Sequence, residues 1–121
     1  HFHMVCMAPE LTKTVQSLKR HTAKLILRQL DVDSKKWQLN LLRFYKKRHK
    51  QQSEHQVWQE GFHPKQIISN EMLTQKIEYI HNNPVKRGFV ALPEHWLHSS
   101  ALYFSGQGES VLKMTALEAV M

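Results

Sequence analysis

The chain has 121 residues, 41% of them hydrophobic, which is enough for one compact domain. Seventeen Lys and Arg against ten Asp and Glu give a net charge of +7. That charge favours a polyanionic partner, either nucleic acid or an anionic membrane face, although a basic protein with no such partner fits it equally well. Cys6 is the only cysteine, which excludes an internal disulfide and fits a reducing, cytoplasmic setting. No apolar run approaches the ~18 residues of a transmembrane helix.

The first half of the chain predicts a strand and two helices. Residues 1–8 mix aromatic and apolar side chains before Pro9 and are typical of a strand. Residues 10–30 change to a helical period with a basic polar side, and residues 35–50 predict a second helix with a basic end. The chain opens at His1 inside the first predicted strand without an initiator Met. We therefore expect the N-terminal part of the domain to be missing, so that these residues cannot complete the fold unaided.

The second half of the chain predicts a short strand, a helix and a loosely structured tail. Residues 56–62 alternate polar and apolar side chains, which indicates an extended segment. A helix begins near Ser69 and should stop at Asn83, since the residue before a proline is disfavoured in the α region. Residues 101–104 are the only other candidate strand, and residues 105–121 are expected to form the tail.

His1 and His3 form a His-x-His pattern at the start of the chain. Alternate side chains of a strand project to the same face, so both imidazoles could bind one metal ion while Phe2 points to the core. The same pattern also occurs by chance. The spacing alone leaves a metal site as the minority interpretation.

Tyr79 and Asn83 lie four residues apart on the predicted helix. Residues at this spacing share a helix face, so a phenol and an amide oxygen could point into one pocket. Without further context, a tyrosine packed in the core and an asparagine at a helix end are the favoured explanation of the pair, since asparagine is common at helix ends. The other tyrosines, Tyr45 and Tyr103, follow apolar neighbours and are expected to pack.

The basic residues are candidate phosphate contacts, with a solvated surface as the alternative for each cluster. Trp58 and Trp96 could stack on bases, although core packing is the more common use of tryptophan. The candidate DNA contacts are Arg20, Lys24, Lys46, Lys47, Arg48, Lys86 and Arg87.

Taken together, these features make the chain resemble one protein family. The run KIEYIHNNPVKRGFV at residues 76–90, followed by LPEHW at 92–96 and SSA at 99–101, closely resembles the signature of the REP-associated tyrosine transposases. These are HUH single-tyrosine transposases, named for a His-hydrophobic-His motif that His1-Phe2-His3 matches. Residues 57–63 and 18–23 are also similar, so the resemblance extends to about Phe104.

The resemblance implies a fold, a site and a chemistry. The fold would be a single α/β (α+β) domain over residues 1–121, with a central antiparallel sheet flanked by helices and without the N-terminal strand and helix that precede the HUH motif in the family. Tyr79 would be the nucleophile, and His1, His3 and Asn83 would be ligands of a divalent metal ion, Mg²⁺ or Mn²⁺. The enzyme would cleave and rejoin single-stranded DNA through a 5′-phosphotyrosine link.

The family context also implies partners and a location. The DNA would be single-stranded, with hairpin-bearing repeat ends from a mobile element, and the protein would act in the bacterial cytoplasm at the nucleoid. A homodimer and a monomer both fit, and no membrane partner is expected. Two other classes stay open: a DNA- or RNA-binding protein without catalysis, derived from such a transposase, and a metal-binding regulator. The regulator leaves the run at 76–90 without a role.

Overall fold

A computed structural model describes residues 2–115 as two compact units. One unit spans residues 7–64, and the other combines the N-terminal segment up to Cys6 with the chain from Lys65 onward. The prediction that residues 1–121 form a single catalytic domain stays a prediction.

The 7–64 unit is a pair of helices followed by a long loop. Helix α1 spans Leu11–Val32 and helix α2 spans Lys36–Phe44, and the two pack against each other. Ser34 takes a positive φ of 55° after α1, so that the Lys35 amide reaches the Leu30 carbonyl at 2.8 Å. This left-handed cap turns the chain sharply into α2. The second predicted helix was expected to reach residue 50, but it ends six residues earlier.

The shielded side of α1 differs from the stripe that apolar spacing predicts, which comprises Leu11, Val15, Leu18, Leu25 and Ile26. Leu11 and Val15 are half-buried as expected, whereas Leu25 is 51% exposed. Leu27 and Leu30 are half-buried in its place. The inward stripe is therefore rotated around the helix from the one that the apolar pattern suggested.

The second unit contains α3 at Asn70–Lys86, a 3₁₀ turn at Pro93–His95 and a short helix α4 at Ala101–Phe104. Ser69 caps α3, its Oγ accepting a hydrogen bond from the Met72 amide at 3.2 Å. The 3₁₀ turn packs on both α3 and α4. The two most buried hydrophobic side chains in residues 2–115 lie in this unit, Leu73 on α3 and Ala101 on α4.

Helix α3 continues past Pro84, so the predicted stop at Asn83 is wrong. A proline removes one N–H from the helix but leaves the other backbone hydrogen bonds of the last turn in place. The actual stop is Gly88, which has φ 74°. There the Phe89 amide donates to the Pro84 carbonyl at 3.0 Å and the Gly88 amide to the Val85 carbonyl at 2.9 Å. Glycine adopts this left-handed conformation without steric cost.

The predicted central antiparallel sheet is absent from residues 2–115, which contain helices, turns and irregular segments but no strand. A strand needs a neighbour to bond its backbone groups, and the three candidate segments do not pair. Residues 2–8 are irregular, and residues 101–104 form α4. In residues 56–62, the carbonyls of Gln59 and Gly61 instead accept hydrogen bonds from the Lys19 ammonium, at 2.5 and 2.8 Å.

Candidate active site

Tyr79 lies in the middle of α3 with its side chain 50% exposed. Its ring meets the imidazole of His3 edge to face, with centroids 5.7 Å apart and an interplanar angle of 86°. His3 is itself exposed. The structure therefore brings together two of the predicted site residues that lie far apart in the sequence, and the phenol remains accessible to a large substrate.

One face of α3 carries Tyr79, Asn83 and Lys86, because these positions are four and seven residues apart. Asn83 is half-buried, one turn from the phenol. The Lys86 ammonium lies over the Tyr79 ring, 5.8 Å from its centroid. Sequence reasoning assigned Lys86 only to general DNA binding. The signal for its place beside Tyr79 was the spacing of two helical turns.

The predicted metal ligands are His1, His3 and Asn83, and His1 lies outside the described residues. Among residues 2–115, no three His, Cys, Asp or Glu side chains converge to hold a metal ion. Of the predicted ligands within the described residues, only His3 is one of these four residue types, because Asn83 would bind the metal through its amide oxygen. Imidazole nitrogen and amide oxygen are neutral donors that suit a divalent cation. In donor chemistry, the described pair suits a divalent cation but does not select Mg²⁺ or Mn²⁺, since imidazole equally suits Zn²⁺ or Ni²⁺.

His81 and Ser100 form a contact that sequence reasoning missed. The His81 Nε2 atom lies 2.8 Å from the Ser100 hydroxyl, and its ring packs 5.5 Å from that of Phe104. Partial burial lowers the pKa of His81, which favours the neutral imidazole. The contact ties α3 to the start of α4, two residues along the helix from Tyr79. Both residues belong to the family-like runs, which was the one available signal.

The predicted DNA contacts of the 7–64 unit divide into two kinds. The Lys46 ammonium donates to the Ser53 carbonyl at 2.7 Å, and the Lys47 ammonium binds Glu60 at 3.2 Å. Arg20, Lys24 and Arg48 are exposed, and within residues 2–115 none of them has an acidic partner. The second group is the better placed to meet a phosphate backbone.

Glu60 is the centre of a charge cluster in the loop after α2. Its carboxylate meets His49 at 2.6 Å, Lys47 at 3.2 Å and Lys50 at 3.6 Å. Hydrogen bonds from His49 and then Lys47 lower the pKa of Glu60 to about 2. The carboxylate is therefore ionised at neutral pH and offsets part of the basic run.

Lys86 and Arg87, the remaining predicted DNA contacts, lie at the end of α3. Both are exposed, and in residues 2–115 neither has an acidic partner. Cations at this end of a helix also interact favourably with the helix dipole. They lie in the same unit as Tyr79, which places positive charge near the phenol.

The tryptophans that could stack on bases are both half-buried and contact neighbouring side chains. The Trp58 indole donates to the Thr22 hydroxyl at 2.9 Å. Trp96 stacks on Phe89, with ring centroids 5.9 Å apart. The third tryptophan, Trp37 on α2, is 69% exposed. Tyr45 is 74% exposed although it was expected to pack, and its edge contacts Phe44.

Comparison of the chain with protein-family models, with curated proteins and with solved structures finds no match. No helix within residues 2–115 combines the length and the apolar character needed to cross a membrane.

Proposed function

We propose that this chain is a metal-dependent transposase that cleaves and rejoins single-stranded DNA, with Tyr79 as its nucleophile. The observation that carries the proposal is the ring contact between His3 and Tyr79, with centroids 5.7 Å apart. His3 of the His-x-His motif and the half-exposed Tyr79 lie far apart in the sequence. Their meeting at one point is what a metal-assisted tyrosine nucleophile needs.

The proposed reaction is a transfer of a phosphoryl group to a phenol. The Tyr79 oxygen attacks the scissile phosphorus, forms the new O–P bond and gives its proton to water. The bond from phosphorus to the 3′ oxygen breaks, and that oxygen takes up a proton from water as a 3′ hydroxyl. The 5′ side of the DNA is left on Tyr79. Because the phosphodiester bond count is conserved, attack by another 3′ hydroxyl rejoins DNA without an external energy source.

His1, His3 and Asn83 would hold the metal ion, Mg²⁺ or Mn²⁺, whose chemistry is to polarise the phosphate and offset charge in the transition state. All three ligands are neutral, which leaves the full charge of the cation for the phosphate. Asn83 also shares its helix face with Tyr79, so α3 would carry both the nucleophile and one ligand.

The substrate in this proposal is single-stranded DNA with hairpin-bearing repeat ends, and the location is the bacterial cytoplasm at the nucleoid. Exposed cations support the polyanionic partner, since neutralising phosphates releases counterions. The same cations would serve a binding protein without catalysis. Only a covalent product separates the two functions, and the test is built on that product.

The test is a denaturing gel of the protein mixed with a labelled, hairpin-bearing single strand and Mn²⁺. We expect the wild-type chain to form a covalent adduct and Tyr79→Phe to form none while still binding DNA. Only the nucleophilic oxygen is lost in that variant. Tyr45→Phe is the matched control, because Tyr45 is 74% exposed and would react first in any nonspecific process. Tyr103→Phe should also retain the adduct.

Ligand variants extend the same assay. We expect His1→Ala and His3→Ala to lose cleavage because the metal is lost, and Asn83→Ala to retain more activity because water can replace an amide oxygen. A covalent adduct formed by Tyr79→Phe would refute the mechanism. Salt-dependent DNA binding without an adduct in any variant would identify a binding protein instead.

A further inference from the structure

We propose that Lys86 is a positioning residue for Tyr79, holding the phenol ring and meeting the phosphate that Tyr79 attacks. This inference rests on the proposed function, because it assigns a task at the same site. The ammonium of Lys86 lies 5.8 Å from the centroid of the Tyr79 ring. A cation at that distance from an aromatic face is attracted by the ring quadrupole.

The backbone of α3 accounts for this contact. Lys86 follows Tyr79 by seven residues, which is close to two helical turns, so the two side chains leave the same face. Long side chains of a helix lean toward its N-terminus. Lys86 in the last turn is therefore directed back along the helix toward Tyr79. Arg87, the next residue, leaves the helix about 100° further round.

Two contacts restrict the Tyr79 ring. His3 meets the ring edge to face, and the Lys86 ammonium lies over it. A tyrosine that is 50% exposed has few packing neighbours to fix its side-chain rotamer. Near-attack geometry requires the oxygen to be held toward the phosphorus, so the contacts that restrict this ring would affect the rate of reaction.

The charge of Lys86 provides the second part of the proposed task. Lys86 is exposed, and within residues 2–115 it forms no ion pair with an acidic side chain. Its three N–H donors can therefore turn to a phosphate oxygen as DNA approaches Tyr79. A favourable interaction with the helix dipole would explain a cation in the last turn. It would not explain why the ammonium lies over the nucleophile.

The experiment measures adduct formation in a single turnover at saturating DNA, beside DNA affinity measured in a Tyr79→Phe background. We expect Lys86→Ala to slow adduct formation roughly tenfold, the scale for loss of one partly screened charge at a reacting phosphate. Lys86→Arg should restore most of the rate, because the guanidinium keeps both the charge and the ring contact. Lys65→Ala is the control for the loss of one exposed cation in the same unit, and its rate should match wild type.

A second readout needs neither DNA nor metal. In a ¹H–¹³C spectrum of the tyrosine rings, Lys86→Ala should move the Tyr79 signal, since the cation leaves the ring face. Lys86→Arg should move it less, and Lys65→Ala should leave it in place. Tyr45 and Tyr103 serve as internal references in every sample.

The outcomes separate this inference from the function on which it rests. If wild type forms the adduct and Lys86→Ala reacts at the rate of Lys65→Ala, the inference is overturned and the proposed function stands. The inference is likewise overturned if Lys86→Ala weakens affinity alone and saturating DNA restores the full rate. If wild type forms no adduct under any condition, the proposed function fails and this inference fails with it.

Discussion

Adjacent cations of the 7–64 unit are expected to contribute unequally to DNA binding, because only one of them is paired with a carboxylate. Lys47 binds Glu60 at 3.2 Å, whereas Arg48 is exposed and has no acidic partner within the described chain. A cation that is already paired must give up its partner before it can release a counterion from DNA. We therefore expect Arg48→Ala to reduce the salt dependence of DNA binding clearly more than Lys47→Ala does.

The size of the difference follows from counterion release. Each phosphate contact on single-stranded DNA contributes about 0.7 to the slope of log affinity against log salt. Arg48→Ala should thus make the slope about 0.7 shallower. Between 50 and 200 mM salt, one contact corresponds to a change of about two- to threefold in affinity. Lys47→Ala should change the slope by less than half as much.

Removing the carboxylate should have the opposite effect. Glu60→Gln releases Lys47 and Lys50, which both lie within 4 Å of that side chain at 3.2 and 3.6 Å. If both cations reach phosphates, the slope steepens by up to about 1.4. Lys47→Ala in the Glu60→Gln background should then cost as much as Arg48→Ala does alone.

The assay is fluorescence anisotropy of a labelled single strand, measured at several salt concentrations in the Tyr79→Phe background so that no covalent adduct forms. Lys113→Ala, an exposed cation outside the proposed contacts, is the control for net charge. Equal slopes for Arg48→Ala and Lys47→Ala would show that the Glu60 pairing does not govern DNA contact. A binding curve insensitive to salt in the wild-type chain would remove the electrostatic argument altogether.

Two further predictions concern pH and helix capping. The folded-state pKa of Glu60 is lowered from 4.5 to about 2, so its ion pairs contribute stability fully above pH 4.5 and lose it as the pH falls through about 2. Amide protection factors of residues 46–60, corrected for the intrinsic exchange rate at each pH, should fall over that window in wild type and should not do so in Glu60→Gln. Ser69→Ala removes the acceptor of the Met72 amide and should destabilise the first turn of α3 by about 1 kcal/mol. Ser69→Asp should restore the protection of that turn against amide exchange. Unchanged amide exchange in that turn of Ser69→Ala would contradict this prediction.

The helices were the predictable part of the fold, and their ends were predictable only where a residue with special backbone geometry was recognised. Apolar spacing located α1 and α3. The end of α3 was placed at Asn83 because proline was given more weight than the glycine beyond it. Gly88, with its φ of 74°, supplies the stop. The proline in the last turn and the glycine beyond it can both be recognised from the local sequence. Which of them ends the helix depends on the hydrogen bonds of the whole helix end.

The strands could not be judged from local pattern, because a strand exists only through its neighbours. Residues 56–62 alternate as a strand would, yet Lys19 on α1 binds the carbonyls of Gln59 and Gly61. No rule of periodicity predicts that a lysine forty residues earlier will take those acceptors. Residues 101–104 have an apolar composition that suits either state, and they form a helical turn.

The candidate site was predictable to different degrees along the chain. Helical spacing alone places Asn83 and Lys86 on the same face as Tyr79. The approach of His3 to Tyr79 depends on the path of an irregular segment, and only the family resemblance suggested it. The link between His81 and Ser100 joins two polar residues that neither periodicity nor charge singles out.

The anchoring of α3 explains how Tyr79 can be both held and accessible. Counting 100° per residue from Tyr79, the buried Leu73 lies about 120° around the helix and His81 about 200°. Leu73 is packed, and His81 is bonded to Ser100, so the side of α3 away from Tyr79 is the fixed side. Asn83 and Lys86 both lie within about 40° of Tyr79. The helix is therefore secured on one side and presents on the other a phenol, an amide and an ammonium, the groups that the proposed attack of Tyr79 on a phosphodiester would use.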